Sequence, residues 1–140
     1  MGEEREMSDG KRKIMVVDDE PSIVKMVSKR LELKGFEVVV ATDGPQALEL
    51  AKREHPDFII LDLMLPTLDG FQVCQQLKSQ QQSKDVPVVI MFSGKGQPED
   101  AERCRQAGAY GYVSKTQGTA ALLAQIETVL QRPSACIVLP

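Results

Sequence analysis

Short apolar runs recur along the chain, and each stops at a polar residue. Lys13–Val17 (KIMVV) runs into Asp18-Asp19, Glu37–Ala41 (EVVVA) into Thr42, Phe58–Leu61 (FIIL) into Asp62 and Val88–Phe92 (VVIMF) into Ser93. A shorter run, Tyr110–Val113, runs into Ser114-Lys115. Runs without polar alternation suit strands buried on both faces. Between them lie segments with helical spacing. The first carries Ile23, Val27 and Leu31, flanked by Val24 and Met26, with Gly35 as its stop; the second carries Ala47, Leu48 and Leu50-Ala51. Phe71, Val73-Cys74 and Leu77 mark the third, Ala101, Cys104 and Ala107 the fourth, and Leu122-Leu123, Ile126 and Val129-Leu130 the fifth. Strand followed by helix, repeated to the end, predicts a parallel sheet with helices on both faces: a doubly wound α/β fold of the (βα)5 kind.

Such sheets bind ligands at the carboxyl ends of their strands, where the winding direction switches. The chain places Asp18, Asp19, Asp62, Ser93 and Lys115 there. Taken singly each has a bland explanation: Asp19 as a helix cap before Pro21, Asp62 as a strand end held by loop amides, Ser93 as a small closing residue, Lys115 as a surface lysine. Their joint placement, in the order acid pair, acid, hydroxyl, lysine, points to a site. Two carboxylates ~4 Å apart repel by about 4 kcal/mol at an effective dielectric near 20, so the cluster calls for a cation. Oxygen ligands without His or Cys favour Mg²⁺, with Mn²⁺ the alternative, and Lys115 with Ser93 would face a phosphoryl group held there. His55, the sole histidine, enters the third strand at the opposite edge, which argues against Ser/His/Asp or Cys/His catalysis.

Composition narrows the class. A chain of 140 residues with 42% hydrophobic and 26% charged residues fits one domain, and no apolar run approaches the ~20 residues of a membrane span. Residues 1–12 are polar and read as a flexible tail without a secretory signal; 13–131 form the domain. Residues 132–140 form a C-terminal tail or linker stub whose Ile137-Val138-Leu139 packs back, meets a partner, or begins something longer. Three cysteines, an odd number with no CxxC or ligand-like spacing, favour a reducing, cytoplasmic setting over disulfides or zinc. A net charge of −3 and no dense basic run leave no footprint for direct nucleic-acid binding.

VVDDE at 16–20, DLMLPTLDG at 62–70, Ser93 after a hydrophobic strand and GAYGYVSK at 108–115 agree in type, order and spacing with one family. Over about residues 13–131 the chain resembles the CheY-like receiver domain of two-component response regulators. The resemblance implies a flavodoxin-like three-layer sandwich with strand order 2-1-3-4-5. It also implies that Asp62 accepts phosphate from a phosphohistidine, on a sensor histidine kinase or a phosphotransfer protein. Asp18, Asp19, Asp62 and the backbone carbonyl of Met64 would hold Mg²⁺, Ser93 and Lys115 would bind phosphoryl oxygens, and Tyr112 would be the aromatic switch.

Output is then expected from the face made by the fourth helix, fifth strand and fifth helix, through a downstream protein. The glycines around Lys95 and the thinly apolar fourth helix predict what moves. Departures from the family pattern are Thr116 where proline is usual, predicting a looser turn, and Gly94 where alanine is frequent, predicting a more mobile loop. Met64 and Lys95 suggest an altered lifetime of the phosphorylated state. Two other readings compete: a Mg²⁺-dependent phosphohydrolase, which lacks an acid at Met64 and a substrate cap, and a receiver-like module working without phosphate.

Overall fold

Each apolar run becomes a strand in the computed structural model, which describes residues 12–80, 87–94 and 98–130. The expectations for most of the N-terminal tail, the C-terminal segment, the end of the glutamine-rich stretch, Lys95 and Cys136 fall outside the described residues. The strands are β1 (Lys13–Val17), β2 (Glu37–Ala41), β3 (Phe58–Leu61), β4 (Val88–Ser93) and β5 (Gly111–Ser114). The helices are α1 (Pro21–Leu33), α2 (Gly44–Glu54), α3 (Gly70–Gln80), α4 (Pro98–Gln106) and α5 (Gly118–Leu130), with a 3₁₀ turn at Lys115–Gln117. All pairings are parallel, and the sheet order is β2-β1-β3-β4-β5, as the resemblance implies.

Side chains alternate across the strands and build two cores. One face carries Met15, Val17, Ile59, Leu61, Val89 and Met91 against α2, α3 and α4; the other carries Ile14, Val16, Phe58, Ile60, Ile90 and Phe92 against α1 and α5. The helices contribute unequally. From α5 come Leu122, Ile126 and Val129, all buried, whereas among the described residues α4 offers only Cys104, with Ala107 just beyond it. At ~1.5–3 kcal/mol for each large aliphatic side chain buried, α5 is anchored by several kcal/mol more than α4. A further tie for α4 is the Arg103 guanidinium, stacked 3.9 Å from the centroid of the Phe71 ring on α3.

Local chemistry sets the element ends. Pro21 opens α1, and Gly35, at φ +96°, follows its C-cap Lys34 in the left-handed conformation natural to glycine. Asp43 caps α2 by accepting the Gln46 amide, while Gln46 Oε1 accepts the Thr42 amide in return. At the start of α3 the exchange is fully reciprocal: Asp69 Oδ1 accepts the Gln72 amide and Gln72 Oε1 accepts the Asp69 amide.

Some expectations are corrected. Met26 is 43% exposed, because it stands a helical step of 100° off the Val27 and Leu31 stripe. Ala101 is exposed at the rim of a groove that separates it from β5. Leu48, Leu50, Phe71 and Leu123 are half-buried at the margins of the cores. Ser93 pairs with Ser114 as the last rung of β4, and β5 runs from Gly111 to Ser114 where Tyr110–Val113 was expected.

Candidate functional site

The strand order reverses between β1 and β3, and there the two acids that are buried among the described residues stand side by side. The Asp18 amide donates to the Ala41 carbonyl (3.1 Å) and the Asp62 amide to that of Val17 (3.1 Å), so the sheet ladder itself fixes both Cα positions. Asp18 and Asp62 are 3% and 5% exposed, with Asp19 open to solvent. Ligand oxygens of the three all lie within 4.8 Å of one another. Asp18 Oδ1 accepts the Glu20 amide (3.0 Å) and Asp62 Oδ1 the Met64 amide (3.2 Å).

Lys115 reaches in from the end of β5. Its Nζ lies 2.8 Å from Asp18 Oδ2 and 3.2 Å from Asp62 Oδ2, bridging the two buried carboxylates. Burial pushes the Asp18 carboxyl above its ordinary range; the contacts from Lys115 and the Glu20 amide oppose this, and the Asp62 charge adds to it. Burial also works to lower the Lys115 pKa, but the bond to Asp18 and the two carboxylate charges outweigh it, so the ammonium is held above the usual lysine range.

Asp18 and Asp62 thus share the Lys115 ammonium, and with Asp19 beside them the three carboxyl groups form a set of hard oxygen donors that fits a Mg²⁺-like cation. Ser93 is fully buried at the end of β4, and its hydroxyl finds no hydrogen-bond partner among the described residues. A buried hydroxyl without a partner costs about 1–3 kcal/mol, which a ligand oxygen would relieve.

The loop after Asp62 is drawn tight. The Leu68 amide donates to the Pro66 carbonyl (2.8 Å) across Thr67 at φ +75°, a γ-turn of the rare, strained hand. The Gly70 amide donates to Leu63 (2.9 Å), and a Cβ at residue 70 would sit 2.5 Å from the Asp62 carbonyl oxygen. Gly70 therefore lets α3 begin against the backbone of Asp62.

Tyr112 lies half-buried on β5 against the α2-α3-α4 core, lining a cavity of about 360 Å³ between α4 and β5 with Glu102, Cys104, Arg105 and Tyr110. Met64 is 59% exposed next to the acids. His55 is exposed at the far edge, where it caps α2 at φ +51°. The turn after Lys115, expected to be loose, is instead tied by hydrogen bonds among Ser114, Thr116 and Gln117.

Sequence reasoning overlooked that tie, the γ-turn at Thr67 and the Arg103–Phe71 stack. The first carries a signal in S-x-x-Q at 114–117, the pattern of a reciprocal cap. The other two have none, since each depends on how the chain returns on itself.

A switch-point acid pocket with a bridging lysine, on a sheet of this order, defines a signalling receiver. The family model described as "Response regulator receiver domain" matches residues 14–127, and the chain belongs to that two-component family, whose members relay signals. The probable transcriptional regulator ycf27 of Porphyridium aerugineum is 42% identical over 122 residues, which are 87% of this chain and 49% of that protein. RpaA of Synechocystis sp., a DNA-binding dual master transcriptional regulator, is 39% identical over 120 residues, 86% of this chain and 49% of its own. The solved structure of the chemotaxis response regulator CheY4 of Vibrio cholerae superposes with a TM-score of 0.78 at 33% identity, covering 85% of this chain and 98% of that one. The chain spans about half the length of the curated relatives it matches. Among the described residues, no helix is long and apolar enough to cross a membrane.

Proposed function

We propose that this chain takes a phosphoryl group onto Asp62 from a phosphohistidine of a sensor histidine kinase or histidine phosphotransfer protein and signals by a change of its α4-β5-α5 face. The observation that carries the reading is the double membership of Asp62: it shares the acidic cluster with Asp18 and Asp19 and lies 3.2 Å from Lys115. Asp18, Asp19, Asp62 and the Met64 carbonyl would hold Mg²⁺, with Mn²⁺ an alternative. The metal, when bound, neutralises phosphoryl charge and orients the group for in-line attack.

The chain's own residues do the rest. An Asp62 oxygen forms the new O–P bond as the P–N bond of the donor breaks; the imidazole leaves with the bonding pair and takes a proton. Lys115 turns from Asp62 toward the phosphoryl oxygens, compensating the charge that develops there. Ser93 Oγ, buried and without a partner among the described residues, donates to a second oxygen. The acyl phosphate is intrinsically hydrolysable, so the only chemistry proposed is the domain's own phosphorylation and dephosphorylation.

Shifting a two-state equilibrium from 1:99 to 99:1 takes ~5.5 kcal/mol, and two or three charge-assisted hydrogen bonds at ~1.5–3 kcal/mol each supply it. Movement of Ser93 toward the phosphoryl group would vacate space for Tyr112 to turn inward beside lightly anchored α4. Residues 13–131 are the proposed receiver unit, cytoplasmic and acting through protein contacts. The DNA binding named for RpaA belongs to a chain about twice as long.

The test is intact mass after incubation with acetyl phosphate and Mg²⁺. One added phosphoryl group in the wild type, absent in Asp62→Asn or with chelator, is expected. No addition in folded protein, with transfer from a phosphohistidine donor also failing, would refute the reading and favour a module that works without phosphate.

A further inference from the structure

We infer that Ser114 and Gln117 are positioning residues for Lys115, a role that rests on the phosphoacceptor reading above. The juxtaposition is a closed ring of hydrogen bonds around the lysine's backbone. The Thr116 amide donates to Ser114 Oγ (3.2 Å), the Ser114 amide donates to Gln117 Oε1 (2.9 Å), and Ser114 Oγ pairs with Thr116 Oγ1 at 2.8 Å. Past the ring, the Gly118 amide donates to the Lys115 carbonyl.

The lysine ammonium rides on a flexible four-carbon stem, so whether it can reach both acids depends on where the backbone starts that stem and in which direction. A proline at position 116 would fix its own φ and restrict residue 115 covalently. Thr116 does neither and adds an N–H that needs an acceptor. The ring supplies both: Ser114 takes the extra N–H, and Gln117 holds the last rung of β5, Ser114, which pairs across the sheet with Ser93. Lys115 therefore leaves the strand in one direction, and its Nζ arrives between Asp18 and Asp62. Among the described residues the side-chain hydrogen bonds of Ser114 and Gln117 go to the turn itself and not to either acid, so they act through the lysine.

The experiment is the rate of Asp62 phosphorylation by acetyl phosphate with Mg²⁺, followed by intact mass. Ser114→Ala and Gln117→Ala are expected to slow it about tenfold, the scale of a modest misplacement of a catalytic group. Ser114→Thr and Gln117→Glu keep the acceptors and should restore most of the rate. In a Lys115→Ala background, measured over longer incubation, the same substitutions should add nothing.

Wild-type rates in both alanine variants, or an equal slowing in the Lys115→Ala background, overturn the inference. Should the wild type take no phosphoryl group, the proposed function fails instead, and the Lys115 ¹³Cε NMR signal decides the positioning role. That signal should be distinct from a free lysine in the wild type and collapse toward it in Ser114→Ala; an unmoved signal refutes the role.

Discussion

Replacing Lys115 with methionine keeps the stem of the side chain and removes its charge from between two buried carboxylates. The ammonium stands 2.8 Å from Asp18 and 3.2 Å from Asp62, with the lysine side chain 17% exposed and the side chains of the acids 4% and 6%. At an effective dielectric near 20 these pairs attract by about 6 and 5 kcal/mol before desolvation is counted. Breaking a buried pair while leaving its acid behind typically costs 3–5 kcal/mol net, and we expect about 3 here, because exposed Asp19 keeps one side of the cluster wet.

The chain has no tryptophan, so far-UV circular dichroism in urea is the suitable probe. In EDTA, Lys115→Met should lose about 3 kcal/mol, roughly 10 °C in Tm. Millimolar Mg²⁺ should recover much of the loss, since a divalent cation substitutes for the missing charge and meets no competing ammonium. In an Asp62→Asn background the loss should fall by about half.

The pH dependence follows from the direction of the shifts. Asp18 is raised, so as pH falls its native carboxyl takes up a proton before the unfolded chain does, and the gap between variant and wild type closes as the acid range is entered. Lys115 is also raised, so its contribution is complete at neutral pH and fades only as pH climbs through the lysine range. A loss under 1 kcal/mol in EDTA, or one indifferent to Mg²⁺ and to Asp62→Asn, would refute this account of the pocket.

Gly70→Ala places a methyl 2.5 Å from the Asp62 carbonyl oxygen, a backbone atom unable to swing aside. It should destabilise the fold by about 1–3 kcal/mol and slow Asp62 phosphorylation, both readable on one sample by denaturation and intact mass. Arg103→Ala removes the stack on Phe71 and should cost only about 0.5–1 kcal/mol globally, yet speed amide exchange in α4 ahead of α5. Uniform exchange across both helices would contradict the weak anchoring of α4. Burial pushes the Cys74 thiol up to about 11, so alkylation at pH 8 should leave Cys74 unmodified in the native protein and go to completion in urea, as peptide mass spectrometry would report.

The strands were legible because a residue buried on both sheet faces has no freedom of type: Phe58–Leu61 admits no polar residue and reads as what it is. Asp18, Asp19, Asp62, Ser93 and Lys115 were legible as a group because strand ends in a parallel sheet share one edge. Helix faces were read less well. Met26 and Ala101 fit an apolar pattern in sequence, yet the sheet covers only part of each helix and leaves them outside. Thr67 illustrates a deeper limit: its positive φ accompanies the Leu68–Pro66 bond and the closing of Gly70 on Leu63, a geometry that no residue type in the loop announces.

The two cores differ in the texture of what the helices bring to them. On one side α1 and α5 press Val27, Leu31, Leu122, Ile126 and Val129 into the sheet, and on the other α4 brings, among its described residues, only the small Cys104, with Ala107 following it. Long side chains interlock like teeth, and a helix set in them moves only when many of them disengage at once. Short ones leave a nearly smooth bearing, over which a helix can slide a fraction of a turn while the sheet stays still. The same unevenness sorts the protein's tolerance of mutation: truncations on the α1-α5 side open large voids, and those beneath α4 remove little. Drift can therefore remodel the surface of α4 without touching the frame that holds Asp62.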